Sequence, residues 1–217
     1  MKSSTKIIVA SVCAILLLIC AVSATLMVMI DDDSATNIFT VGKVDIKLDE
    51  AKANSDGTLV PGAERVKAND YHLLPGRTYA MDPTVTLLTN SEESYIRLIV
   101  TVNKARDLKT IYGDDFKPTD FATGYDANVW QYVSETLNED GSAYYEYRYY
   151  KIAGNSTQDE IPLEPFITSI TLSGDINNEQ IKTLSGLRII FEAHAIQASG
   201  FEGNADEAWS AFEEEIK

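Results

Sequence analysis

The side chains with the widest chemical range are few. The chain of 217 residues holds two histidines, His72 and His194, and two cysteines, Cys13 and Cys20. The histidines are far apart and no His-Glu-x-x-His occurs, so a zinc hydrolase of the usual motif has no support. Glu192-Ala193-His194 sets a carboxylate and an imidazole on one face of a strand, which reads first as a polar strand face. No Gly-x-Ser-x-Gly elbow is present to anchor a serine triad. The acid runs Glu92-Glu93, Asp114-Asp115 and Asp31 to Asp33 suit an acidic surface better than a glycosidase or calcium site. The aromatic run Tyr144 to Tyr150 has the residue types to stack sugars, and the packing of a strand in a core accounts for it more simply. No catalytic residue, metal ligand or cofactor is assigned.

The elements that carry these residues begin with an apolar stretch. Lys2 and Lys6 precede a nearly unbroken apolar run from Ile7 to Ile30, and Asp31 to Asp33 end it. Its length suits a bilayer span. Its small residues also suit a cleaved signal, with Val22-Ser23-Ala24 presenting the −3 and −1 positions for a cut between Ala24 and Thr25. Residues 1–27 are therefore expected to be a signal peptide or an uncleaved N-terminal anchor, the only part that would touch a membrane. Residues 28–217 are expected to form one exported domain.

Both cysteines lie in the apolar run, so the exported domain has no thiol or disulfide and must be held by its core and sheet. All 33 acidic residues but only 16 of the 18 basic ones follow position 30, a net charge of −17 for that part. Such a surface repels nucleic acid and anionic lipid.

Past the acidic stop the pattern is that of strands. Val44, Ile46 and Leu48 alternate with charged residues, and Ile96, Leu98, Val100 and Val102 alternate within Tyr95 to Asn103. Further strands are expected at Thr84–Thr89, Val129–Ser134, Tyr144–Tyr150, Phe166–Leu172 and Leu187–Ile196. Asn90 to Ser94 and Asn138 to Gly141 read as turns. Residues 104–127 read as a long excursion with a helical turn, tied down by Tyr112, Phe116, Phe121 and Tyr125. A short helix is expected near Asn178–Leu184. A last helix opens on the Asn204–Glu207 capping pair and runs to Ile216. About eight strands with a short C-terminal helix predict an all-β, jelly-roll-like sandwich.

Three stretches together resemble a known group. Asp31 to Asp33 run on through Ala35-Thr36-Asn37-Ile38-Phe39-Thr40-Val41-Gly42-Lys43-Val44-Asp45-Ile46. Leu74-Pro75-Gly76 is followed by Asp82-Pro83 and Asn90 to Arg97. Ala195 to Ala198 is followed by Gly200-Phe201 and Ala208-Trp209. In this order and spacing the chain resembles the SipW-dependent exported proteins of Gram-positive bacteria, the family of the biofilm-matrix fibre protein TasA and of camelysin.

The resemblance implies a jelly-roll domain, release by a dedicated signal peptidase, and a secreted, cell-surface or extracellular-matrix location. It also implies self-association, or association with related matrix subunits, into fibres through an N-terminal strand. Carried onto this chain, that donor strand draws on Ile38, Phe39, Val41, Val44, Ile46 and Leu48. The family cut falls near Met27-Val28, where this chain has Met rather than a small residue at −1, and a cut before Thr25 fits the enzyme's chemistry better. Two alternatives stand beside the fibre reading: a secreted camelysin-like metallo-endopeptidase, and a monomeric surface binding module for a glycan or protein.

Overall fold

The computed structural model describes residues 43–201 and 203–215. They form an all-β sandwich with three helices on its margins. The strands are β1 (Ile46–Asp49), β2 (Thr78–Ala80), β3 (Thr84–Leu87), β4 (Ser91–Val102), β5 (Ala122–Thr123), β6 (Trp130–Leu137), β7 (Ala143–Tyr149), β8 (Ala153–Asn155), β9 (Ile161–Pro162), β10 (Ser169–Thr171) and β11 (Ile189–Gln197). The helices are α1 (Ala105–Tyr112), α2 (Asn178–Thr183) and α3 (Ala205–Glu215).

The large sheet runs β11-β4-β7-β6, with β8 also on β4. Two small sheets, β1-β3-β9 and β2-β10-β5, make the opposing layer. Every pairing between these strands is antiparallel. The layers close on one core. Ile96, Leu98, Val100 and Val102 of β4 share a buried cluster with Val85 and Leu87 of β3, Tyr79 of β2 and Ile170 of β10. Each such side chain contributes about 1.5–3 kcal/mol on burial.

Alternation explains β7 as well. Tyr145, Tyr147 and Tyr149 point inward and are buried, while Tyr144 and Tyr150 are exposed. The ring of Phe166 meets Tyr147 edge-on at 4.7 Å between centroids. The run is thus divided between core and surface, with no continuous outward aromatic platform.

Several boundaries move. The expected turn over Asn90 to Ser94 is confined to Asn90, at φ 55°, and the strand begins at Ser91. Ser91 and Ser94 are buried against β8, where Ser94 Oγ donates to Ala153 O at 3.1 Å. Polar residues that satisfy themselves across a ladder look like a turn in sequence. The sandwich also holds eleven strands rather than about eight, because β2, β5, β8, β9 and β10 are ladders of two or three residues.

The 104–127 excursion contains α1, which buries Ala105 and Leu108. It then returns through the stacked rings of Tyr112 and Phe116, 5.1 Å between centroids, and through Phe121, 5.3 Å from Phe116. The capping box of α2 is closed by Asn177 and Gln180. Asn204 Oδ1 accepts from Glu207 N at 3.2 Å at the start of α3.

Candidate functional site

The large sheet ends in two outer strands of different character. On β6 the ladder with β7 shifts register between Tyr132 and Ser134, a bulge that bends this edge. The β11 ladder is regular over its nine residues, and among the described residues β11 pairs only with β4.

The phase of that ladder decides what β11 offers on its other side. Asn103 N donates to Arg188 O at 3.3 Å, and Ala198 N donates to Glu93 O at 2.8 Å. Even-numbered residues of β11 therefore direct their backbone groups at β4. The N–H and C=O groups of Ile189, Phe191, Ala193 and Ala195 face away from it. No group among the described residues outside β4 bonds to them. Their side chains meanwhile pack against the main core. The strand so presents a row of free donors and acceptors above an apolar wall.

That edge lines a groove of about 1240 Å³. Across it stand β1 and residues 67–73, and its apolar surface comes from Leu48, Tyr71, Leu73, Met81, Ile181 and Phe191. The β1 side is largely closed. Leu48 O accepts from Lys67 Nζ at 2.7 Å, and Glu50 exchanges two backbone bonds of 2.8 Å with Val66. β11 is the open wall.

One charged side chain intrudes on this surface. Glu50 lines the groove at 8 % exposure, and its Oε2 is buried with no hydrogen-bond partner among the described residues. Burial pushes the Glu50 carboxyl above its ordinary range, outweighing the pull of Asn69 and Arg65 in the other direction. Tyr71, beside it, is also pushed up, first by burial and then by Glu50.

Behind the groove, on the outer face of the sheet, β11 carries His194 opposite Arg97. Arg97 Nε donates to His194 Nδ1 at 3.2 Å, and Nη1 donates to Glu213 Oε1 at 3.0 Å. The guanidinium carbon lies 4.5 Å from the Trp209 ring centre and 5.0 Å from that of Phe212. Burial, and then Arg97, lower the His194 pKa.

The positions singled out by sequence are distributed as follows. Ala24, Thr25, Met27 and Val28, with Ile38, Phe39 and Val41, lie outside the described residues. Ile46 and Leu48 are paired within their own chain, with Leu87 and Val85. Asp45, next to Val44, accepts at its carbonyl from Leu88 N at 3.0 Å. Any free donor therefore lies upstream of Lys43.

His72 is in an exposed loop, away from the strand that carries His194. Among the described residues no three His, Cys, Asp or Glu side chains converge as metal ligands would. Glu192 and His194 do share the outer face of β11, as alternation requires. Also among the described residues, no helix is long and apolar enough to cross a membrane.

Sequence reasoning missed Glu50 and the free edge of β11. Glu50 left a signal: it continues the spacing of Ile46 and Leu48, a carboxylate on the apolar phase of a strand. The edge left none, because strand order is a tertiary property. Set against known proteins, the chain matches no family model, no curated protein and no solved structure.

Proposed function

We propose that this chain is an exported structural protein of the cell surface or extracellular matrix. Its copies join when the segment upstream of Lys43 in one enters the groove of the next. The observation that carries the reading is the unpaired β11 edge, with its free backbone groups set above an apolar wall. Addition of a strand there gains hydrogen bonds along the backbone and buries alternate side chains.

The lengths agree. Nine residues of β11 extend over about 30 Å, and Asp31 to Gly42 is long enough to lie along them. Ile38, Phe39 and Val41 supply the apolar side chains of the incoming strand. The leader-like run before Asp31 is consistent with export. A dedicated signal peptidase would free the segment and set the new N-terminus.

A proline placed at Ala193 tests this within the intact fold. Its missing N–H is one that faces the groove, so the β4 ladder is untouched. The chain from residue 28 should scatter light and give fibres in electron microscopy. Ala193→Pro, and a chain beginning at Gly42, should keep their circular dichroism and stay monomeric. Equal assembly of all three would sink the proposal.

A further inference from the structure

Glu50 is hard to reconcile with an empty groove. A carboxylate oxygen buried without a partner costs free energy, and native structures keep few of them. Replacing it with an apolar residue would remove the cost. Its position suggests what the oxygen is kept for, since it lies in the wall that faces whatever occupies the groove.

We infer that Glu50 selects the occupant by accepting a hydrogen bond from a neutral side-chain donor, the Asn37 amide of a second copy. This deepens the strand-insertion reading and rests on it. The argument is one of elimination along the donor. From Val28 to Gly42 there is no lysine or arginine, so no cation of the segment is there to pair with Glu50. Asp31 to Asp33 would meet it with like charge.

The neutral donors of its second half are Thr36, Asn37 and Thr40. In an extended strand Asn37, Phe39 and Val41 lie on one face, and Thr36, Ile38 and Thr40 on the other. The groove is apolar with one buried acceptor. The face that matches it carries one amide and two bulky apolar groups. Two hydroxyls around a single isoleucine do not.

The pairing is tested by a double-mutant cycle on the whole chain from residue 28, with the critical concentration for assembly as readout. Asn37→Ala and Glu50→Ala should each raise it about tenfold, and the double variant no further than either alone. Asn37→Asp, which sets carboxylate against carboxylate, should raise it by about a hundredfold or more. Thr40→Val, on the opposite face, should leave it unchanged. Thermal unfolding of each variant reports whether the fold is intact.

Additive effects would mean that Glu50 is served by water, and would overturn the inference. So would normal or improved assembly of Glu50→Ala. In either case a continued block by Ala193→Pro would leave the groove reading standing. Normal assembly of Ala193→Pro would remove both.

Discussion

Arg97 is a cation almost sealed in protein, at 4 % exposure, and each of its neighbours answers for that burial. Glu213 supplies the charge, Trp209 and Phe212 the ring faces, and His194 an acceptor nitrogen. The last of these requires a neutral imidazole, since a protonated ring has no lone pair to offer. With its pKa lowered by burial and by Arg97, folded His194 resists the proton that the unfolded chain accepts. Its contribution is therefore complete above the ordinary value of about 6.5 and declines as pH falls below it. Thermal scans should show Tm level from pH 8 to 7 and falling from pH 6.5 to 5. His194→Gln, whose amide oxygen still accepts from Arg97, should flatten that part of the profile. Glu50 has the opposite sign. Its raised pKa means that the folded state holds the proton more tightly, so its cost grows as pH rises through the folded value. Glu50→Gln should raise Tm by a few degrees at pH 8 and by little at pH 4. At Gly57 the constraint is steric. It has φ +87°, and a Cβ there would lie 2.6 Å from Thr78 O and 2.7 Å from Tyr79 Cα. Gly57→Ala should cost more than about 2 kcal/mol in denaturant titrations, because left-handed backbone and a backbone clash add.

At the scale of elements, α3 is held as a separate piece. Trp209, Ala208 and Phe212 cover Tyr95, Ile196 and Ala198 in a cluster distinct from the main core. Arg148 binds Asp206 in its first turn, and Arg97 binds Glu213 near its end. The first-turn acids favour the helix, but Glu213 and Glu214 oppose its dipole, so docking rather than propensity keeps it formed. Trp209→Ala should cost about 3–5 kcal/mol. It should also admit protease between Ala198 and Ala205 while leaving the large sheet intact, as mass spectrometry of the fragments would report. The same contrast governs what sequence could reveal. β4, β7 and the starts of α2 and α3 were legible because each carries its cause locally, in period-two apolar residues or in a cap. β2, β5 and β8 were not, since ladders of two or three residues exist only through their distant partners. For the candidate site, the apolar residues Ile38, Phe39 and Val41 stood out as a strand near the signal. Its receiving wall did not, because nothing in Ile189–Gln197 says which neighbour the strand lacks.

For the whole molecule, charge and assembly are opposed. Net charge of −17 past position 30 makes any two copies repel at a distance. Screening shortens that repulsion from about 30 Å at 0.01 M salt to about 8 Å at 0.15 M. On the proposed reading, the lag before assembly should shorten severalfold over that range while the fibre form stays the same, as time-resolved light scattering would show. The two outer strands of the large sheet add a restriction of another kind. With β11 open and β6 bent by its bulge, each copy has a single socket, and the segment before Lys43 is its single plug. Units of valence two joined this way make unbranched threads with unlike ends. A copy that begins at Gly42 keeps the socket and lacks the plug, which makes it a chain terminator. Mixed in at a few per cent, it should set mean thread length by its mole fraction, as a monofunctional monomer does in a linear polymerisation.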